Sequence, residues 1–115
     1  MRKGPMMVAL VALLVAIFAT AAYAATIEGD NGDDDLFETP RRDFMYGFGG
    51  EDFLDATRFD DDTDKLYGGR HNDDLYADDG DGRDLLDGGR GRNDYCEGDR
   101  GDSFRNCDGN VVRRN

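Results

Sequence analysis

Aspartate side chains recur along this 115-residue chain at a spacing of nine residues. In residues 29–37, the sixth residue is Asp34 and the eighth is Leu36. Eight units follow this arrangement, with insertions at residues 56–58 and 77–78. Carboxylates beside glycine-rich turns are typical of calcium sites, because calcium takes 6–8 oxygens from carboxylates and carbonyls together. The sixth residues are Asp34, Asp43, Asp52, Asp64, Asp73, Asp84, Asn93 and Asp102, and the eighth are Leu36, Met45, Leu54, Leu66, Leu75, Leu86, Tyr95 and Phe104.

The chain carries a large negative charge, which narrows the range of its partners. It has 26 acidic and 14 basic residues, for a net charge of -12 at pH 7. Arg2 and Lys3 are the only charged residues among the first 24, so residues 25–115 carry −12 − 2 = −14. This charge would repel a phosphate backbone, which excludes nucleic acid as a direct partner and favours cations. The remaining apolar content is too small for an ordinary metal-free core.

Residues 1–24 have the organisation of a secretory signal peptide. Arg2 and Lys3 form a basic start, residues 8–18 are apolar, and residues 22–24 (AYA) are a small-residue cleavage motif. An uncleaved membrane anchor is the alternative, but the apolar run is shorter than the ~20 residues of a membrane span. We therefore predict a secreted protein in an oxidising, calcium-rich compartment, with no membrane contact after cleavage.

Each repeat unit predicts a turn of six residues followed by a strand of three. Side chains alternate along a strand, so the eighth residue points inward and its neighbours point outward. Glycines in the turn permit positive φ and let carbonyl groups converge. Besides the sixth residues, the candidate ligands in these turns are Gly29, Asn31, Gly32, Gly47, Gly49, Gly50, Gly68, Gly69, Gly88, Gly89 and Gly91.

Residues 68–76 (GGRHNDDLY) and 88–96 (GGRGRNDYC) resemble the calcium-binding nonapeptides of the RTX, or hemolysin-type, repeat family. The resemblance extends over about residues 29–105. It implies an all-β fold, namely a right-handed parallel β-roll of about four coils stabilised by calcium. We assign residues 25–108 to this roll and residues 109–115 to a short tail. The resemblance also implies that each ion binds between turns on the same side, from units n and n+2.

This stacking divides the turns into two columns. The odd column holds the turns of the first, third, fifth and seventh units, and the even column holds those of the other four. All odd units begin with glycine, so we expect up to three calcium ions between them. No even unit begins with glycine and both insertions precede even units, so we expect a degraded column there. Asp43 is expected to be a poor ligand, because Pro40, Arg41 and Arg42 share its turn. The predicted ligands are Asp34, Asp52, Asp73 and, more weakly, Asn93 in the odd column, and Asp64, Asp84 and Asp102 in the even column.

Folding is expected to depend on calcium. Eight inward residues bury too little apolar surface to offset the entropy of ordering the chain, and repulsion among the carboxylates opposes compaction. We predict a secreted calcium-binding protein that is unfolded without calcium and binds it at ~10⁻⁴–10⁻³ M. A disordered acidic segment is the alternative for this composition, although the period of nine argues against it.

The functional alternative is an extracellular interaction module built on the calcium-loaded roll. Outward aromatic side chains on the strands would then contact a cell-surface, matrix or glycan partner. These side chains are Phe37, Tyr46, Tyr67 and Tyr76.

Cys96 and Cys107 are the two cysteines of the chain, and in a secreted protein such a pair predicts a disulfide. We expect it to cap the C-terminal end of the roll, where an open strand edge would otherwise favour aggregation. A metal-thiolate pair and a redox pair are the alternatives. At the other end, residues 25–28 are expected to form a cap, with Ile27 in the inward phase.

Several smaller motifs do not predict a further function. His71 replaces the fourth glycine of its turn, and residues 100–102 (RGD) occur where the repeat already uses Asp102. Residues 60–64 resemble the start of an EF-hand loop but lack its glycine and terminal glutamate. With Ser103 as the only serine, a catalytic triad is not indicated, and we predict that the protein is not an enzyme.

Overall fold

The computed structural model describes residues 24–59, 62–80, 82–108 and 110–114, the last stretch as backbone only. The predicted signal peptide lies outside these residues apart from Ala24, so it stays a prediction.

The described residues form ten short strands in two parallel sheets. Sheet A has the order β1-β3-β5-β7-β9, and sheet B has the order β10-β8-β6-β4-β2. Because consecutive strands alternate between the sheets, the chain winds as a solenoid of about four coils. The strands are β1 Ala25–Glu28, β2 Asp35–Phe37, β3 Asp43–Tyr46, β4 Phe53–Asp55, β5 Lys65–Tyr67, β6 Asp74–Ala77, β7 Leu85–Asp87, β8 Tyr95–Asp99, β9 Ser103–Arg105 and β10 Asn110–Arg114.

Each of the strands β2 to β8 contributes a large buried residue to the interior, and the small residues Ala56 and Ala77 are buried beside them. In sheet B, Leu36 pairs with Leu54 and Leu54 pairs with Leu75, while in sheet A Met45 pairs with Leu66. These side chains are buried and their strand neighbours are more exposed, as the alternation of a strand requires. The structure thus confirms the predicted all-β parallel roll of about four coils.

The seventh unit differs from its predicted register by one residue. Tyr95 pairs with Asp74 and Cys96 pairs with Leu75, so Cys96 is the buried inward residue instead of Tyr95. The turn before β8 therefore has seven residues, 88–94, and its last residue is Asp94. The sequence alignment failed here because Tyr95 is apolar enough to satisfy the eighth position, whereas burial in the roll selects the smaller Cys96.

Both ends of the roll carry an additional strand. β1 pairs with β3, and Ile27 packs against the core as expected for an N-terminal cap. Residues 110–114, assigned from the sequence to a tail, form β10 and extend sheet B beside β8. The predicted disulfide between Cys96 and Cys107 is confirmed, with a Cα–Cα distance of 5.9 Å. The disulfide contradicts the alternative of a metal-thiolate pair.

His71 has a structural role in its turn. It adopts a φ of 71°, close to the 85° of Gly50 at the same position of the preceding odd turn. The Gly50 amide donates a hydrogen bond to Nδ1 of His71, at 3.2 Å. The imidazole thus links two stacked turns.

Candidate metal centre

The sixth-position aspartates form a hydrogen-bonded ladder along each side of the roll. In the odd column, the Asp52 amide donates to Oδ1 of Asp73 at 2.8 Å, one coil further along. In the even column, the Asp43 amide donates to Oδ1 of Asp64 at 2.7 Å. One carboxylate oxygen of each acceptor therefore holds successive turns together. The same bond joins Asp34 to Asp52, Asp73 to Asp94, Asp64 to Asp84 and Asp84 to Asp102.

The second oxygen of several ladder aspartates is buried without a hydrogen-bond partner. This holds for Oδ2 of Asp52, Asp64, Asp73 and Asp94. These residues are at most 3% exposed, so water does not satisfy the oxygens either. A buried, unpaired carboxylate is unfavourable unless a proton or a cation neutralises it.

The pKa values of these carboxyl groups also show that burial disfavours their charged form. Burial raises the pKa of Asp64 and of Asp73 from 3.8 to about 7, and that of Asp52 and Asp94 to about 6. Neighbouring carboxylates add to the effect of burial, whereas the ladder amide hydrogen bonds partly counteract it. At neutral pH, a divalent cation would neutralise the charge that the fold concentrates here.

In the odd column, carboxylate and carbonyl oxygens converge beside the first glycine of a turn. A Cβ atom on Gly47 would lie 2.4 Å from Oδ2 of Asp52 and 2.6 Å from the carbonyl oxygen of Gly68. A Cβ on Gly68 would lie 2.5 Å from Oδ2 of Asp73 and 2.8 Å from the Gly88 carbonyl oxygen. Glycine is required at these positions because a side chain would displace the oxygens. The carboxylate of one turn thus meets a carbonyl of the next turn on the same side.

The same convergence is present in the first coil, where a Cβ on Gly29 would lie 2.3 Å from Oδ2 of Asp34 and 3.0 Å from the Gly47 carbonyl oxygen. The odd column therefore offers three such places. Each combines the two oxygen types that calcium accepts, so the residues present fit this ion.

In the even column, carboxylates converge on one another. Glu38, Asp43 and Asp64 each offer an oxygen within 4.8 Å of the others, and so do Asp64, Asp79 and Asp84. Asp64 belongs to both groups and is fully buried. These are the only groups of three acidic, histidine or cysteine ligands among the described residues. A metal ion would be surrounded here mainly by carboxylates.

Glu38 explains why the even column differs from the odd one. It lies at the first position of its turn, where each odd turn has glycine. Its amide donates to the Asp55 carbonyl, so the hydrogen bonding between strands continues into the turn as it does at those glycines. Its side chain is buried, and Oε1 accepts hydrogen bonds from the amides of Arg58 and Phe59 in the next even turn. Its Oε2 has no hydrogen-bond partner. Burial, and secondarily the charge of Asp43, raises the pKa of Glu38.

The clustered acidic ligands thus lie in the even column, and the paired carboxylates and carbonyls lie in the odd column. The glycine pattern predicts the better column on the odd side, and the neighbouring Pro40, Arg41 and Arg42 predict that Asp43 is a poor ligand. In the structure Asp43 is buried within an acidic group, while Arg41 and Arg42 are exposed to solvent. The reason is that residues 40–42 form the exposed middle of this turn, whereas Glu38 and Asp43 at its two ends are buried, so the adjacent positive charges need not face the site.

The structure places the predicted ligands in three kinds of position. Asp34, Asp52 and Asp73 lie in the odd ladder, whereas Asp64, Asp84 and Asp102 lie in the even ladder. Asn93 is exposed, and its amide donates to Oδ1 of Asn72, so Asp94 takes the ladder position predicted for it. The remaining predicted residues lie where successive odd turns touch: Asn31, Gly32, Gly49, Gly50, Gly69, Gly89 and Gly91.

Glu38, Asp79 and Asp94 were missed as candidate ligands. The signal for Glu38 was an acidic residue at a position where the repeat expects glycine. Asp79 follows an insertion, and Asp94 follows the one-residue register change, so neither occupies the sixth position of a nine-residue unit.

No family model, curated protein or solved structure matches this chain. In the described part of the chain, no helix is long and apolar enough to cross a membrane.

Proposed function

We propose that this protein is a secreted, RTX-type calcium-binding protein whose β-roll folds around calcium ions. The observation that carries the proposal is the set of buried carboxylate oxygens without a hydrogen-bond partner in stacked turns. They belong to Asp52, Asp64, Asp73 and Asp94. The role is one of binding, not of catalysis.

The chemistry of these sites favours calcium over other common divalent ions. The oxygens come from carboxylates and, in the odd column, from backbone carbonyls, which calcium accepts in irregular arrangements of 6–8 ligands. Magnesium keeps several of its waters and requires near-octahedral geometry, which suits a buried site between turns poorly. Zinc prefers nitrogen and sulfur ligands, and neither acidic group contains histidine or cysteine.

Calcium binding would be coupled to folding. The fold brings carboxylates together and buries them, so that their repulsion opposes the roll when no cation is present. In the unfolded chain these groups are solvated and apart, and the sites do not exist. Binding free energy therefore serves as folding free energy, as in other small metal-dependent domains.

The disulfide supports an oxidising compartment, which agrees with the predicted signal peptide. Millimolar calcium outside the cell would then saturate sites with an affinity of ~10⁻⁴–10⁻³ M. In this proposal, export is the event that exposes the chain to calcium and lets it fold.

The test is a calcium titration of oxidised residues 25–115, followed by far-UV circular dichroism. We expect a cooperative gain of β signal between ~0.1 and several millimolar calcium and none with magnesium at the same concentrations. Asp73→Asn should raise the calcium midpoint, whereas Asp35→Asn, the same change at an exposed position of β2, should leave it unchanged. A spectrum that is fully β in a chelator, or one without β signal at tens of millimolar calcium, would refute the proposal.

A second candidate function is contact with a cationic partner through the outer face of sheet B. Four aromatic rings form a zigzag there, with centroid distances of 6.2, 5.2 and 5.6 Å along Phe37, Phe53, Tyr76 and Tyr95. Burial raises the pKa of the Tyr76 hydroxyl, and surrounding negative charges raise it further. A ring surrounded by carboxylates attracts a guanidinium or ammonium group. The surrounding acids are Asp74, Glu97, Asp55 and Asp78.

This candidate is tested with an oligo-arginine peptide and the calcium-loaded roll. Calorimetry should show binding that Tyr76→Ala weakens and that Tyr67→Ala, the matched change on sheet A, leaves intact. Equal loss in both variants, or no binding, would contradict it.

A further inference from the structure

The C-terminal loop takes the place of one more turn in the odd column. The Gly88 amide donates to the Arg105 carbonyl at 2.9 Å, as the Gly68 amide does to Asp87 at 2.8 Å one coil earlier. A Cβ atom on Gly88 would lie 2.3 Å from the carbonyl oxygen of Asn106. Asn106 thus stands where each earlier odd turn has the first glycine of its neighbour.

The aspartate ladder also continues into this loop. The Asp94 amide donates to Oδ2 of Asp108 at 3.1 Å, which repeats the bond between earlier ladder residues. Asn106 and Asp108 adopt φ values of 52° and 47°, a region that residues other than glycine seldom occupy. Cys107 lies between them and is tied to Cys96 in the core. Asn and Asp tolerate this region better than other residues except glycine, and the disulfide fixes the loop in it.

One carboxylate oxygen of Asp94 is not satisfied within the protein, although the other accepts the Asp73 amide. Asp94 is fully buried, and its Oδ2 has no hydrogen-bond partner. Its carboxylate is directed at Gly91, where a Cβ would lie 2.6 Å and 2.7 Å from the two carboxylate oxygens and 2.3 Å from the His71 carbonyl oxygen. The Asp108 carboxylate is close enough to act on the charge of Asp94.

We infer that turn 88–94 and loop 106–108 form a further calcium site, with Asp94, Asp108 and the carbonyls of His71 and Asn106 as ligands, and that the disulfide keeps this site assembled. The inference rests on the proposed calcium-binding function. It adds a site beyond those between the repeat units, at a place that the repeat pattern does not contain. It also makes calcium binding at the C-terminal end sensitive to reduction, because an unlinked loop would lose its constrained conformation.

The test is equilibrium dialysis of the oxidised chain against radioactive calcium. We expect Asp108→Asn to bind one calcium ion fewer than the wild type, or to bind one ion at least 10-fold more weakly. The amide oxygen of Asn can still accept the Asp94 hydrogen bond, so the calcium-induced β signal should persist. Asp35→Asn removes the same charge at an exposed position and should bind as the wild type does.

Reduction of the wild-type disulfide gives an independent measurement, which should also remove one ion and leave the β signal largely intact. Wild-type stoichiometry and affinity in Asp108→Asn would overturn the site, and unchanged binding after reduction would overturn the part assigned to the disulfide. If the wild type itself binds no calcium, the proposed function fails. Normal wild-type binding with an unaffected Asp108→Asn variant refutes the further site alone.

Discussion

Substitution of Asp64 by asparagine should have opposite effects with and without calcium. Asp64 belongs to both acidic groups of the even column, and its Oδ1 accepts the Asp43 amide. Asparagine keeps that acceptor and replaces the charged Oδ2 with an amide group. The new N–H can donate to the buried Oε2 of Glu38, whose carboxylate interacts with Asp64. Without calcium, the variant roll should be more stable than the wild type. With calcium, the variant should gain less stability from the bound ions than the wild type does.

The size of the effect follows from the pKa of Asp64. Burial raises this pKa from 3.8 to about 7. Each pKa unit corresponds to ~1.4 kcal/mol, so at pH 8 the charge of Asp64 costs the metal-free roll at most about 4 kcal/mol. The buried amide retains a desolvation cost, which leaves an expected gain of about 1–3 kcal/mol. In a calcium titration, the loss of a shared ligand should raise the midpoint at least several-fold.

Urea unfolding at pH 8 measures the stability with and without calcium, and a calcium titration followed by circular dichroism measures the midpoint. The metal-free roll is expected to be unfolded, so the metal-free measurement needs an osmolyte that favours folding. It uses a chelator together with enough trimethylamine N-oxide to bring the wild type to its folding midpoint. Asp35→Asn is the matched control, because this exposed residue carries the same charge outside the sites. Destabilisation of Asp64→Asn under both conditions would show that Asp64 serves only to hold the turns together, and would refute the reasoning.

Two further predictions concern pH and the turn glycines. Because burial raises the pKa of Asp73 to about 7, metal-free stability should fall as pH rises from 3.8 through 7, and the calcium midpoint should fall over pH 5–8 as protons cease to compete. Circular dichroism titrations at several pH values measure both quantities, and a constant calcium midpoint would contradict the assignment. Gly47→Ala should raise the calcium midpoint at least several-fold, because its Cβ would lie 2.4 Å from Oδ2 of Asp52. Gly32→Ala is the control, since its nearest atom would be 3.3 Å away, and equal midpoints in the two variants would count against the odd sites.

The period of nine, together with the resemblance of its units to RTX-type nonapeptides, was sufficient to predict the roll. Inward residues such as Leu54 and Leu66 follow from the alternation of a three-residue strand, which is a local property of the chain. The pairing of Cys96 with Cys107 could also be predicted, because the chain contains no other cysteine. The spacing, together with the stacking that the resemblance implies, also placed Asp52 and Asp73 in one column.

The register of the seventh unit could not be predicted in the same way. Tyr95 and Cys96 both satisfy an apolar position, and the choice between them depends on the space beside Leu75 in the neighbouring coil. Once Cys96 is inward, Asp94 replaces Asn93 in the ladder. Packing in the core of the roll therefore decided which residue lies in the ligand position of this turn.

The amino-acid sequence by itself determined the coil repeat, the inward residues and the concentration of carboxylates in the turns. Only the tertiary structure decided which carboxylates meet. Glu38 reaches residues 20 and 21 positions further along the chain, and Asp108 reaches the ladder from a loop outside the repeat. These contacts depend on how turns of unequal length stack against each other, because the distance between two side chains is set by the packing of whole coils and not by their local spacing.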